Sequence, residues 1–432
     1  MTRPVAQFHI QGGERLSGEV VASGNKNAAL PLLAATLLTT QPVTLHNVPR
    51  IRDVLMMIEL LQTLGTSVSW IAPNSLRVDA SQVSACEIDS KLSREIRASI
   101  LLAGPMLARC GGVTLPPPGG DVIGRRRLDT HFLAFEALGA QIETAPRYFS
   151  LSSSGLRGAD ILLDEASVTG TENAIMAASL ARGTTVLRNA ASEPHVQDLC
   201  RMLVQMGMRI DGIGSNTLTI YGVEKLGGTE FTVGADNIEV TSFIVLGAVC
   251  GGHGGMLIRN AGPENLGMTR LYLRRLGIQF ETRGRDVFVP GHQELRVESE
   301  FDGGITKIDD GIWPGFPADA MSPTIVAATQ AVGTVLIHEK LVESRLYFVD
   351  KLIGMGARII VCDPHRCVVS GPSQLRGGLV QSPDIRAGVA LVIAALAAEG
   401  ESVISNIQQI DRGYENFADK LCGLGAVIER RE

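Results

Sequence analysis

No stretch of this 432-residue chain is long and apolar enough to cross a bilayer. The longest apolar runs, such as AGVALVIAALAA at 387–398, stop short of the roughly 20 residues that a spanning helix needs. No basic start leads into an apolar segment, so no signal peptide is read at the N-terminus. There is no HExxH pair for zinc and no Gly-Lys dipeptide, which excludes a Walker A phosphate loop. Aromatic residues are scarce, at 4%, within an apolar content of 45% that still allows an ample core. The seven cysteines (86, 110, 200, 250, 362, 367 and 422) are odd in number and scattered, which reads as reduced and cytoplasmic. CDPHRC at 362–367 is the one tight Cys/His group. Its spacing fits no standard zinc pattern, and no metal is expected. Basic charge is also short. The net charge of −6 argues against broad nucleic-acid or membrane binding, so any anionic ligand must be held by a local cluster.

What the chain does have is a repeat. A length of 432 residues calls for two or three domains. Six times a helix-like stretch ends in Leu-Gly or Met-Gly and turns into an apolar strand: LGTSV, LGAQI, MGMRI, LGIQF, MGARI and LGAVI. The glycines are Gly65, Gly139, Gly207, Gly277, Gly356 and Gly425, at intervals of 68 to 79 residues. Glycine just past a helix takes the left-handed conformation that closes it. A second signal, a turn followed by a β-prone run, interleaves with the first: PVTLHN, GGVTLP, GTTVLRN, GGMLIRN, GTVLIHE and GESVISN. Each unit of about 70 residues therefore holds two helices and several strands. Six units predict an α/β protein of two similar domains, three repeats each, with the midpoint near FTVGADN at 231–237.

Cations recur where helices begin. SGNKNAALPLLAATLL starts a helix near Asn27 with Lys26 at its start, since Pro31 is expected only in a first turn. Arg345 is expected in the first turn of the helix before Gly356, and Arg386 in the first turn of a helix capped by Asp384. Arg412, capped by Asp411, is expected to open the helix before Gly425. Asp129 is a candidate cap with Arg126 just upstream. A cation at a positive helix N-terminus is unfavourable by several tenths of a kcal/mol. Five of them point to something negative bound against them, with more than one anionic group. They are expected to face one interdomain cleft.

Two carboxylates stand apart. Asp319, after the rigid turn WPGFPAD, reads locally as an N-cap. Asp121 lies in PPPGGDVIGRRRLDTH (116–131), where glycines precede it and Arg125, Arg126 and Arg127 follow. That loop reads either as a solvated turn or as a lid carrying an acid beside an anion clamp. An acid and a base on opposite sides of an anion pocket suit addition–elimination chemistry.

The stretches SGNKNAALPLLAATLL, REIRASILLAGPMLA, PGGDVIGRRRLDTH, GTTVLRNAASEP, FPAD, SPDIRAG and IDRGYE, in this order over residues 12–430, resemble the UDP-N-acetylglucosamine 1-carboxyvinyltransferase family of enolpyruvyl transferases. The resemblance implies an inside-out α/β barrel fold: two domains of three similar units, helices sheathed by sheets, with the active site in the interdomain cleft. The domains would be 22–234, carrying the Asp121 loop, and 1–21 with 235–432. It implies enolpyruvyl transfer from phosphoenolpyruvate to the 3′-hydroxyl of UDP-N-acetylglucosamine, without a cofactor, in the cytoplasm, at the start of peptidoglycan precursor synthesis. Lys26, Arg126 and Arg412 match the positions holding the phosphate of phosphoenolpyruvate, with Asn27 beside the lysine. Arg345 and Arg386 match those holding its carboxylate. Arg97, Arg126, Ser167, Val168, Glu193, Asp319 and Leu341 match nucleotide-sugar positions, and Asp384 another polar position of the site. Asp319 also matches the base for the 3′-hydroxyl, and Asp121 the loop residue that protonates the methylene carbon.

The chain departs from the family pattern at several points. Aspartate, at 121, stands where most members carry cysteine. Glu165 replaces a common lysine, Asn237 a frequent arginine, Ala318 the usual threonine and Arg127 a usual proline. The alternatives are the same chemistry on shikimate 3-phosphate or another nucleotide, and a non-catalytic binding paralogue. The retained arginines and Asp319 argue against the last.

Overall fold

All six repeat glycines have left-handed backbone, with φ of 96° at Gly65, 94° at Gly139, 107° at Gly207, 79° at Gly277, 102° at Gly356 and 96° at Gly425. In each case the next residue returns its N–H to a carbonyl five positions back. The pairs are Thr66 to Leu61, Ala140 to Phe135, Met208 to Leu203, Ile278 to Leu273, Ala357 to Leu352 and Ala426 to Leu421, at 2.9 to 3.2 Å. This is the Schellman closure, which satisfies carbonyls that the helix end leaves open. The strand that follows each glycine is the edge of a separate sheet, as in Ser67–Ala72 and Val427–Arg431.

The structure is a computed structural model that describes residues 6–119, 127–342 and 344–431. Among these the strands form six sheets, five of four strands and one of three. Each sheet takes one strand from the second sequence signal: Val43–His46, Gly112–Leu115, Thr184–Arg188, Gly251–Arg259, Gly333–His338 or Glu401–Ser405. In three sheets the parallel strand comes just before a buried helix. Asp160–Leu162 precedes Val168–Ser179, Thr306–Asp309 precedes Met321–Gln330, and Leu379–Gln381 precedes Ile385–Ala397.

The chain divides into two compact units, Gly24–Gly234 and Met1–Ser23 with Ala235–Glu432. The exchange at the junction is a matter of strand pairing. Leu16–Val21 lies parallel to Gly251–Arg259, and Thr229–Thr232 lies parallel to Val43–His46. Gln7–Gln11 sits between Glu401–Ser405 and Val427–Arg431, antiparallel to both. The N-terminal strands thus belong to the unit built from the second half of the chain.

Each unit has its own apolar core around helices that are buried on every side. In Ile385–Ala397, every residue from 385 to 396 is buried. A helix that is apolar all round belongs inside a core, and each Leu, Ile or Val buried there contributes about 1.5–3 kcal/mol. Asn237–Cys250, Met321–Gln330 and Ile385–Ala397 pack on one another in one unit. Ala103–Cys110 and Val168–Ser179 pack together in the other. The helices that end in the repeat glycines are amphipathic. Pro194–Gln205, for example, buries Val196, Leu199, Cys200, Met202 and Leu203 on one face.

Three local expectations are corrected. Pro31 is not in a first turn. It lies in the second turn of Lys26–Ala35, where it removes one donor to the helix ladder. The helix persists because Ala28 to Ala35 are all buried, so packing rather than propensity holds it. Asp129 does not cap Asp129–Ala137. Leu128 is at the cap position, and Asp129 pairs with Arg127 at 2.9 Å. Arg412 does not open the last helix. It ends the short 3-10 helix Ile407–Arg412, while Asn416 precedes Phe417–Gly423. Asp411 is drawn elsewhere, to Arg430 at 2.8 Å.

Candidate active site

In the unit containing Ala235–Glu432, two buried arginines meet on one carboxylate. Asp319 Oδ1 accepts from Arg345 Nη2 at 2.8 Å, and Oδ2 accepts from Arg386 Nε at 3.0 Å. The arginine side chains are 4% and 5% exposed, and that of Asp319 is 32% exposed. Asp319 was expected to cap a helix. Instead it lies in the 3-10 turn Ala318–Ala320, and no side chain caps the following helix Met321–Gln330. The reason is electrostatic. Two desolvated guanidiniums need a counter-ion more than a helix end needs a cap.

Each arginine is placed by its element. Asp384 caps Ile385–Ala397 through the N–H groups of Arg386 and Ala387, as expected, and this sets Arg386 in the first turn. Arg386 Nη1 donates to the Tyr414 hydroxyl at 3.2 Å, which lies 3.0 Å from Ser242 Oγ. Burial works against the charge of Arg386, but Asp319, then Tyr414 and Asp236, hold its pKa well above the usual value. Arg345 begins the 3-10 helix Arg345–Phe348, and its Nη1 also lies 3.6 Å from Asp384 Oδ1. Leu341 is half exposed, with its N–H bound to Asp310 Oδ2 at 3.1 Å. Arg412 donates to Gln409 at 3.1 Å.

In the unit Gly24–Gly234, Lys26 is the first residue of its helix, capped by Asn25 through the N–H groups of Asn27 and Ala28. Lys26 Nζ pairs with the buried Asp53 at 3.1 Å. Arg97 begins the 3-10 helix Arg97–Leu102 and donates to the Arg127 carbonyl. Ser167 caps Val168–Ser179 by accepting from Gly170 N–H, so Val168 is the first helical residue. Glu193 stands at the cap position of Pro194–Gln205, with Oε2 buried and, among the described residues, without a hydrogen-bond partner. The buried His131 bonds Asn173 at 2.9 Å, and burial and Arg97 lower its pKa to about 3.

The structure thus brings Arg345, Arg386, Asp319 and Asp384 together in one unit and places Lys26, Arg97, Ser167, Val168 and Glu193 in the other. Asp121 and Arg126 lie outside the described residues. Sequence reasoning missed Asp53 and Tyr414, the partners of Lys26 and Arg386. Tyr414 sits in IDRGYE, two residues after Arg412, but nothing local marks its hydroxyl as an arginine partner. Among the described residues no group of three or more His, Cys, Asp or Glu is arranged to hold a metal. No described helix is long and apolar enough to cross a membrane.

The family model of EPSP synthase (3-phosphoshikimate 1-carboxyvinyltransferase) matches residues 10–421. The UDP-N-acetylglucosamine 1-carboxyvinyltransferase of Bradyrhizobium diazoefficiens is 54% identical over 424 residues, 98% of each chain. The relative of the same name from Treponema denticola is 54% identical over 426 residues, 99% of each chain. Among solved structures, the enolpyruvyl transferase NikO from Streptomyces tendae aligns with a TM-score of 0.87 at 24% identity, covering 99% of both chains. EPSP synthase from Acinetobacter baumannii aligns with a TM-score of 0.76 at 18% identity, covering 99% of this chain and 100% of the other. These two structural likenesses carry the fold. With its six glycine-closed repeats, its arginine pair and relatives of this identity over nearly the whole length, the chain belongs to the family of UDP-N-acetylglucosamine 1-carboxyvinyltransferases, within the larger EPSP synthase family.

Proposed function

We propose that this protein is a cytoplasmic transferase that moves the enolpyruvyl group of phosphoenolpyruvate to the 3′-hydroxyl of UDP-N-acetylglucosamine and releases phosphate. Both substrates are small molecules, and neither nucleic acid nor membrane takes part. The observation that carries this reading is the pair of buried guanidiniums on one carboxylate, in a chain so close to the relatives that bear this name. The Asp319 carboxylate occupies the place that a substrate carboxylate takes on Arg345 and Arg386. When phosphoenolpyruvate binds, its carboxylate replaces the Asp319 oxygens there, and Asp319 is freed to accept the 3′-hydroxyl proton. Lys26, Arg126 and Arg412 hold the phosphate, with Asn27 beside Lys26. Arg97, Arg126, Ser167, Val168, Glu193 and Leu341 hold the nucleotide sugar.

The bonds balance in two steps. The acceptor oxygen bonds to C2 of phosphoenolpyruvate while Asp319 takes its proton and Asp121 gives a proton to C3. The Asp121 carboxylate left by the first step then takes a proton from C3, the C2–C3 double bond re-forms, and the C2–O bond breaks to release phosphate, which receives the proton held by Asp319. No cofactor enters the scheme. Phosphate release from phosphoenolpyruvate, assayed with a panel of acceptors, tests the reading. Release is expected with UDP-N-acetylglucosamine. Release only with shikimate 3-phosphate or another nucleotide refutes the acceptor. The role of Asp121 has its own test. An aspartate is a poor nucleophile towards the epoxide fosfomycin, which alkylates the family's usual cysteine thiolate. The wild type should therefore resist the drug, and Asp121→Cys should be active and sensitive. Full activity in Asp121→Asn, or rapid irreversible inactivation of the wild type, overturns this role.

A further inference from the structure

Glu339 has no part in the scheme above, yet its position is unusual. It follows strand Gly333–His338 and is completely buried. Among the described residues no N–H or O–H donor reaches either of its carboxyl oxygens, and the side chain within hydrogen-bonding reach of them is the Asp310 carboxylate. Its backbone is fixed from both sides: its N–H donates to the His365 carbonyl at 2.8 Å, and its own carbonyl accepts from His365 Nδ1 at 2.9 Å. The charged groups that face the carboxyl are Asp310, Arg345 and Asp319. Asp310 is buried and uses both oxygens on the N–H groups of Lys340 and Leu341. Burial first, then Asp310, push the pKa of Glu339 up to about 9, while Arg345 pulls the other way.

The partners of the neighbouring acids sharpen the point. Asp310 is directed at backbone N–H groups of residues 340 and 341. Asp384 Oδ1 is directed at backbone N–H groups of residues 386 and 387. Asp319 holds both Arg345 and Arg386 at hydrogen-bond distance, and Asp384 lies farther from Arg345, at 3.6 Å. An ionised Glu339 would add another carboxylate competing for Arg345. Its oxygens receive no donor, and Arg345 Nε, also buried, has no hydrogen-bond partner, among the described residues. A guanidinium with an open donor beside a bare carboxylate would form that ion pair. A protonated carboxyl does not compete in this way.

We infer that Glu339 is a positioning residue for the arginine clamp: it stays protonated, and its neutrality keeps Arg345 turned toward Asp319 and free to receive an incoming carboxylate. This rests on the reading that Arg345 and Arg386 bind the carboxylate of phosphoenolpyruvate.

The experiment compares the wild type with Glu339→Gln, which is neutral at every pH and nearly the same shape, and with Glu339→Ala. In the wild type, KM for phosphoenolpyruvate should stay flat to about pH 8 and rise above pH 9, approaching tenfold per pH unit. Glu339→Gln should keep KM at pH 7 within about threefold and show no such rise. Glu339→Ala should raise KM about tenfold or more at every pH. A second readout does not depend on turnover. The infrared difference spectrum between wild type and Glu339→Gln should show a protonated-carboxyl band at pH 7 that titrates away near pH 9. Absence of that band at pH 7, or an alkaline rise in Glu339→Gln equal to that of the wild type, overturns the inference. A wild type that shows the band but releases no phosphate from phosphoenolpyruvate with any acceptor refutes the functional reading instead, and leaves the proton on Glu339 established.

Discussion

Asp319→Asn separates three roles for one side chain. On local sequence alone Asp319 is a helix cap, asparagine caps about as well, and stability should not change. The structure predicts otherwise. Asp319 makes contacts of 2.8 Å to Arg345 and 3.0 Å to Arg386. At about 3 Å and an effective dielectric of about 20, each attraction is worth roughly 5 kcal/mol before desolvation is counted. Asp319 is 32% exposed, so water screens part of this. The asparagine keeps one oxygen acceptor but turns an NH2 donor toward the other guanidinium. The net loss should be about 1–3 kcal/mol of unfolding free energy, read by urea titration at pH 7. Phosphoenolpyruvate should bind about as tightly or several-fold more tightly, because the competing carboxylate is gone. Turnover should nevertheless fall about a hundredfold or more, because the base is lost. Normal turnover would refute the catalytic role. Unchanged stability with weaker phosphoenolpyruvate binding would refute the claim that Asp319 stands where the substrate carboxylate goes.

Stability should also report on Glu339. Its pKa in the fold is about 9, against 4.5 for an ordinary glutamate, so the unfolded chain loses the proton first and the protein loses stability as pH rises between those values. Glu339→Gln has no such loss, and should exceed the wild type by on the order of 3 kcal/mol at pH 7, with the gap closing toward pH 4. An equal gap at pH 5 and pH 8 in urea titrations would contradict this. The repeat glycines offer a cleaner backbone test. An added Cβ at Gly139 meets nothing within 4 Å, so Gly139→Ala should cost only the left-handed strain, about 1 kcal/mol. At Gly222 the same atom would lie 1.8 Å from the Ala181 carbonyl oxygen, and Gly222→Ala should lower the urea midpoint far more or prevent folding. Equal midpoints for the two variants would show that close approach of the backbone does not set the cost.

The features readable from the sequence are those settled within a few residues. A glycine that closes a helix depends on the five residues before it, and all six repeat glycines do so. The same holds for Asp384, whose cap contacts lie two and three residues away. Six such closures at a steady interval, with a β-prone run in each, were enough to read repeated α/β units. The order of the family's motifs added the reaction. Tertiary structure decided where the charges go. Asp319 gave up an expected cap for arginines 26 and 67 residues away. Asp411 went to Arg430, 19 residues on, and Arg412 ended a turn instead of starting a helix. Glu339 looks like any polar residue after a strand, and only the fold buries it beside Asp310 and Arg345. The reason is the same each time. Backbone hydrogen bonds at helix ends are paired by near neighbours, whereas a buried charge must be matched by whatever the topology brings beside it.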